Sequence, residues 1–250
     1  MTISATDAAS NHMVVRANDA PVISAVNVSK RYGQVAALQG LTLDIRVGEV
    51  FGLLGPNGSG KTTLMRLLAG YHLPSAGRLT VAGHDVVGES LAVRQRIGYV
   101  PEAAPIYRQM RVGEFLAFMA RLRGLPERGI KGAVERVVGL LALASVVDKP
   151  TRALSRGYRQ RTALAQALIH DPDILILDEP TNGLDPRQII EMRQLIRSLA
   201  GRHTVLMSSH ILGEVEKTCD RVALLLHGRL LGVRAMNETP DLEAWFLSLT

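Results

Sequence analysis

The chain has little cysteine and few aromatic residues, and it has no long apolar run. The single cysteine, Cys219, excludes an internal disulfide and leaves no thiol cluster for a metal, which suits a reducing cytosol. Aromatics supply 4% of residues against 47% hydrophobic overall, so the core must be built from aliphatic side chains. No stretch approaches the roughly 18 to 20 apolar residues that span a bilayer. Residues 1–20 lack the apolar centre of a signal peptide and are expected to be a flexible tail. Low-complexity sequence beyond that tail and internal repeats are also missing. What remains is 250 residues, enough for one large or two small domains, with a net charge of +6. That charge favours nucleotides, nucleic acid or anionic lipid headgroups as partners and does not choose among them.

Apolar spacing points to an α/β fold. Val22 to Val28 and Leu41 to Ile45 nearly alternate, as half-buried antiparallel strands do. Val50 to Leu54, Ile174 to Leu177, Val205 to Met207 and Val222 to Leu226 are instead continuous apolar runs, typical of strands covered on both faces. Between them, Leu64, Leu67 and Leu68, then Leu164 and Leu168, then Ile189, Met192, Ile196 and Leu199 recur at helical spacing. Alternation of such strands and helices implies a parallel sheet with helices on both sides, here with an antiparallel edge at the N-terminus. Met110 to Lys149 carries helical spacing only and reads as a helical insert. A hairpin turning at His227-Gly228 follows the last core strand.

Three constellations carry chemistry. Gly55, Pro56, Asn57, Gly58, Ser59, Gly60, Lys61 and Thr62 match the phosphate-loop pattern between a buried strand and a helix, the context that the pattern requires. Glycines let backbone N–H groups wrap a β-phosphate, and the helix N-terminus adds its positive dipole end. Lys61 then reaches the β- and γ-phosphates, the Thr62 hydroxyl can ligate Mg²⁺, and Thr63 completes the cradle. Asp178 and Glu179 close a buried strand at the sheet edge where parallel folds bind ligands. Alone, the pair could be a solvated loop start. Beside a phosphate loop, Asp178 suits the Mg²⁺ shell and Glu179 is placed to orient or deprotonate a water. His210 ends Met207-Ser208-Ser209 at the same edge, which favours a γ-phosphate contact over a structural histidine. A fourth feature is the basic run from Thr151 to Arg161, with four arginines in eleven residues. It could be a solvated face, a nucleic-acid contact or a place that holds anionic oxygen.

The phosphate loop, Leu154-Ser155-Arg156-Gly157, Leu177-Asp178-Glu179-Pro180, Asn182-Gly183-Leu184-Asp185 and His210 follow one another as in an ABC-transporter ATPase subunit. The resemblance covers about residues 22 to 235. It implies a phosphate-loop NTPase (RecA-like) core, an N-terminal antiparallel β-subdomain and an inserted α-helical subdomain. The boundaries expected are a tail at 1–20, an ATPase domain at 21–235 with its helical subdomain at about 103–160, and a short C-terminal segment at 236–250. By the same resemblance Tyr32 stacks on the adenine of ATP, with an exposed strand-end tyrosine as the alternative. Asp185 couples two nucleotide sites across a dimer. Ser155 and Gly157 bind the γ-phosphate of ATP held by a second copy, at the start of a helix expected over Arg159 to Leu168.

Three residues depart from the usual pattern. The signature has Arg156 and Tyr158 where glycine and then glutamine are usual, and the Arg156 guanidinium either adds a donor near phosphate or points to solvent. Glu102 stands where glutamine usually senses Mg²⁺ and water; glutamate can still ligate Mg²⁺. Both features resemble an exporter-type branch that includes ATPases of gliding motility and of copper-site or cytochrome maturation. The partners implied are integral membrane permease subunits and a second ATPase subunit, a homodimer being expected. The place implied is the cytoplasm, peripheral on the inner face of the cell membrane. A nucleic-acid or ribosome-associated ATPase of the same superfamily is the alternative, although such branches usually carry two cassettes or a long coiled-coil insertion; no nucleic-acid partner is expected. A regulatory binder without hydrolysis is a third reading. The apolar face of Trp245, Phe246 and Leu249 is expected to pack on its own domain, with dimer or membrane contact as the alternatives.

Overall fold

The computed structural model describes residues 20–103, 105–239 and 241–249, so the expected tail lies outside the described residues apart from Ala20. In chain order the elements begin with β1 (Ile23–Tyr32), β2 (Val35–Ile45), β3 (Val50–Leu54) and α1 (Lys61–Leu68). There follow β4 (Ala76–Val81), β5 (His84–Asp85), α2 (Ser90–Arg96), β6 (Ile97–Val100), α3 (Val112–Leu122) and α4 (Glu127–Leu140). Then come α5 (Arg156–Leu168), β7 (Ile174–Leu177), α6 (Pro186–Leu199) and β8 (Thr204–Ser209). The chain closes with α7 (Leu212–Thr218), β9 (Arg221–Leu226), β10 (Arg229–Ala235) and α8 (Leu242–Leu249).

Two sheets result. One is antiparallel, in the order β2-β1-β4-β5; the other runs β10-β9-β3-β8-β7-β6. In the second sheet every neighbouring pair is parallel except β10 with β9. The continuous apolar runs are explained by the two cores that they separate. Leu175 and Leu177 of β7 face the side of α3, α4, α5 and α6, whereas Ile174 and Ile176 face α1 and the antiparallel sheet. Val205 and Met207 part from Leu206 in the same way, as do Val222 and Leu224 from Ala223 and Leu225. Each such buried aliphatic side chain contributes about 1.5–3 kcal/mol. A one-residue slip of any strand would therefore exchange its whole set between the cores.

Close approach explains the lone cysteine. A Cβ on Gly52 of β3 would lie 2.8 Å from Cys219 Sγ and 2.9 Å from Val215 Cγ1, so the thiol fills the space that the glycine leaves. Burial pushes that thiol well above the usual thiol range and keeps it neutral.

Several elements differ from the sequence expectation. The helix expected from Arg159 begins at Arg156, because Ser155 caps it and accepts a bond from the Tyr158 N–H at 3.4 Å. The expected limit of the insert, residue 160, lies inside this helix. β1 and β2 run on to a turn near Gly33 rather than stopping at Val28 and starting at Leu41. β4, β5, α2 and β6 have no counterpart in the apolar spacing. The C-terminal face packs as expected: Trp245 lies 3.2 Å from a Cβ placed on Gly232 of β10, and Arg234 lies 6.0 Å over the Trp245 ring.

His170, just past α5, shows how the insert side is sealed. Its ring nitrogen Nε2 meets the Ile97 carbonyl at 3.2 Å, and burial together with the Arg123 charge lowers its pKa to about 4. An unfolded imidazole titrates near 6.5, so between about pH 6.5 and 4 the unfolded chain binds a proton that the native chain refuses. Stability must fall as pH drops through that window. Denaturant titrations at pH 7 and 4.5 should show the native chain losing about 2 kcal/mol more than His170→Gln; equal losses would contradict this account.

Candidate functional site

The C-terminal ends of β3, β8 and β7 place three constellations at one edge. After β3 the chain turns through Gly55 to Gly60 and enters α1, whose first N–H groups have no helical carbonyl to meet. Gly58 and Gly60 take φ of 79° and 110°, in the left-handed region. A Cβ on Gly55 would collide with the Leu225 carbonyl, so this position must be glycine. Lys61, 5% exposed, donates to the carbonyls of Gly55 at 2.6 Å and Pro56 at 3.2 Å. Its ammonium also lies 3.5 Å from Glu179 Oε1. The side chain is thus folded back over the loop, with its charge turned to the Glu179 carboxylate.

Asp178 and Glu179 follow β7. Asp178 is buried, and its Oδ1 accepts from Ser208 Oγ at 2.7 Å. The Glu179 N–H donates to the same Ser208 oxygen at 2.9 Å, and Glu179 itself sits at φ 48°. Its Oε2 lies 3.0 Å from His210 Nδ1, while Oε1 is buried with no hydrogen-bond partner among the described residues. Burial and the Asp178 charge push the nearby Tyr99 phenol up to about 12, so it stays neutral.

The phosphate loop and Glu179 face a cleft of about 510 Å³ lined by Asn57, Gly58, Ser59, Gly60, Lys61, Thr62 and Thr63 together with Glu102 and Glu179. Glu102 accepts from Asn182 Nδ2 at 2.9 Å. Thr62 and Glu102 bring hard oxygen atoms to the cleft lining, and Asp178, buried at the end of β7, has only one oxygen engaged by Ser208, so the donor chemistry of the three suits Mg²⁺. The far wall was not legible in the sequence: Val35 to Ala37, Gln39, His227 and Gly228. The turn at His227 (φ 48°) and Gly228 (φ 76°) is tied in by the Gly228 N–H to the Ser59 carbonyl and the Gln39 N–H to the Gly228 carbonyl, each at 2.9 Å. Tyr32 does not line this cleft. Its ring meets His72 edge-on at 5.7 Å and has Lys30 Nζ at 5.0 Å from its centroid.

The signature residues lie elsewhere. Ser155 and Gly157 line a separate depression of about 210 Å³ with Tyr158, Arg161, Gln188 and Glu191, and it shares no lining residue with the cleft. Gly157 is buried against Gln188, and Asp185 caps α6 by accepting the Gln188 N–H at 2.9 Å. Ser155 is exposed at the start of α5. Arg156, left open between phosphate and solvent, donates to the Asn182 carbonyl at 2.7 Å and lies against Gly183. The other arginines of the run are also engaged: Arg161 with Glu191 at 2.7 Å, Arg159 with the Leu154 carbonyl at 3.4 Å and Arg152 with Gln109 at 3.3 Å.

Two further groups escaped the sequence reading. Ser208 joins the Asp178 carboxylate to the Glu179 backbone N–H, and Glu214, buried on α7, accepts from Thr181 at 2.6 Å and Ser209 at 3.0 Å. The available signal was the pair of serines closing an otherwise apolar strand.

A family model described as ABC transporter matches residues 38–182. The Nod factor export ATP-binding protein I of Ralstonia nicotianae is 40% identical over 213 residues, covering 84% of this chain and 65% of that protein. The daunorubicin resistance ATP-binding protein DrrA3 of Streptomyces coeruleorubidus is 40% identical over 217 residues, covering 86% and 69%. The chain thus spans about two thirds of the length of these relatives. They are named for export and resistance rather than for gliding motility or copper or cytochrome maturation. Among solved structures, cbiO1 of Clostridium perfringens, part of the ABC transporter complex cbiONQ, superposes with a TM-score of 0.80 at 29% identity, covering 88% of this chain and 90% of that one. The dimeric cassette MJ0796 superposes at 0.78 with 23% identity, covering 86% and 98%, and supports the fold alone.

Replacing Lys61 removes the one lysine or arginine that lines the cleft among the described residues. Lys61→Ala should weaken equilibrium ATP binding by about 10- to 100-fold, the scale of a lost charged hydrogen bond. Titration with a fluorescent ATP analogue checks this, and unchanged affinity would remove Lys61 from the site.

Proposed function

The chain belongs to the ABC transporter family, and from that premise we propose that it is the ATP-binding and ATP-hydrolysing subunit that powers a separate membrane permease. The observation that carries this reading is the separation of the cleft from the signature depression. One copy holds the phosphate loop and the base; Ser155 is exposed and lines, with Gly157, the separate depression that a second copy can use. Two copies related head to tail would complete each other's sites. On this reading residues 21–235 are the ATPase domain, about 103–160 its helical subdomain and 236–250 a short C-terminal segment.

Each residue then has a task. Loop amides from Gly55 to Gly60, the first turn of α1 and Lys61 hold the β- and γ-phosphates, with Thr63 at the rim. Tyr32 turns from His72 to stack on adenine. Thr62, Asp178 and Glu102 hold Mg²⁺, which when bound neutralises charge on the phosphates. Glu179 aligns a water and takes its proton, an effect worth about 10²- to 10⁴-fold. His210 holds Oε2 of that carboxylate and meets the γ-phosphate. Ser155 and Gly157 bind the γ-phosphate of the partner copy at the N-terminus of α5, and Asp185 links the two sites. ATP closes the pair and hydrolysis lets it part, so the difference in affinity between closed and open states does the work.

Among the described residues no helix is long and apolar enough to cross a membrane. The permease is therefore a different chain on this reading, and the subunit sits at the cytoplasmic face of the membrane. A groove of about 740 Å³ between the insert and the core suits its contact, with Tyr71, Leu91 and Leu122 exposed beside Arg94 and Arg123. The names of the relatives support an exporter. The internal partners of the four arginines favour transport over the nucleic-acid alternative.

Glu179→Gln should lower ATP hydrolysis at least 100-fold while retaining ATP, and should give a dimer on size exclusion only when ATP is present. Hydrolysis at the wild-type rate would remove Glu179 as the base.

A further inference from the structure

Ser208 is fully buried near the end of β8, between β3 and β7, and nothing above assigns it a role. A serine hydroxyl has one proton to give and two lone pairs to offer. Here the oxygen accepts the Glu179 N–H at 2.9 Å, and the proton goes to Asp178 Oδ1 at 2.7 Å. One atom thus fixes the backbone of the base and the rotation of the neighbouring carboxylate. Among the described residues no protein donor is found for the second Asp178 oxygen.

The Glu179 backbone needs such an anchor. At φ 48° a residue with a Cβ is in the left-handed region, which is disfavoured unless surrounding bonds hold it. Two bonds do so: its N–H to Ser208 and its carbonyl to the Asn182 N–H at 3.1 Å. This conformation turns the Glu179 side chain toward Lys61 at 3.5 Å and His210 at 3.0 Å. The strand register fixes the partner as well. Leu177 pairs with Met207, so the next residues, Asp178 and Ser208, come side by side just beyond the ladder.

We infer that Ser208 is a positioning residue for hydrolysis, setting the backbone of Glu179 and the metal-facing oxygen of Asp178 through one hydroxyl. The inference rests on the ATPase reading above. Loss of such a supporting bond typically costs 10- to 100-fold in metal affinity or activity.

Ser208→Ala deletes one oxygen from a packed strand, and Ser208→Thr keeps the hydroxyl. Steady-state hydrolysis should show kcat lowered about 10- to 100-fold in Ser208→Ala and largely restored in Ser208→Thr. A second reading avoids turnover altogether. In a Glu179→Gln background, a fluorescent ATP analogue is titrated with Mg²⁺ and with chelator. Ser208→Ala should keep the metal-free affinity and lose about tenfold of the gain that Mg²⁺ confers, and Ser208→Thr should restore most of it. An unchanged kcat with the full Mg²⁺ gain would overturn the proposal. So would a metal-free affinity that falls along with the gain, which marks a folding role only. If the wild-type chain does not hydrolyse ATP, the ATPase reading fails first and takes this proposal with it.

Discussion

Parallel pairing of β3, β8 and β7 decides where the phosphate loop, the two carboxylates and His210 stand. Leu54 pairs with Ser209 and Leu177 with Met207, so the three strands end nearly level. Gly55 leaves one strand, Asp178 the second and His210 the third, all toward the same edge. Because alternate residues of these strands enter two different cores, the register is fixed by burial on both faces. A slip large enough to part Ser208 from Asp178 would also put the aliphatic side chains on the wrong sides. The site's geometry is therefore carried by the same packing that makes the sheet stable.

Charge at this edge is balanced by close partners rather than by solvent. Lys61 faces Glu179, Ser208 serves Asp178, and Thr181 with Ser209 serves Glu214. Buried carboxylates with hydroxyl donors cost little reorganisation when a substrate arrives, which is the preorganisation that catalysis needs. Glu214 also ties the segment after Glu179 to the segment holding His210. Movement of one is then felt by the other. Arg156 extends the connection outward by bonding the Asn182 carbonyl, and Asn182 in turn reaches Glu102. The exposed start of α5 and the cleft, although separate, are linked through a single loop.

Much of this was legible because the functional groups follow continuous apolar runs. A buried strand that ends in glycine, in two carboxylates or in histidine announces its chemistry at the sheet edge. Other parts gave no such signal. β4 exposes half of its residues and β5 has two, so neither shows a clear alternation. α5 begins three residues early because its cap is Ser155, and the Arg156-Gly157 that follows is a poor helix start by propensity. The wall made by His227 and Gly228 against Ser59 and Gln39 depends on contacts between distant parts of the chain. Ser208 looked like the polar end of a strand. The arginine run left a solvated face, a nucleic-acid contact and an anion site all open, and its side chains, three of them exposed, bond the chain to itself.

The central claim is that each site is completed by a second copy of the chain. The most direct measurement is ATP hydrolysis per chain as protein concentration is varied from well below to well above the onset of ATP-dependent dimerisation. The account predicts that the rate per chain rises with concentration and that Ser155→Ala flattens the rise while leaving ATP binding by the single chain intact. A rate per chain that is constant on dilution and unchanged in Ser155→Ala would contradict it.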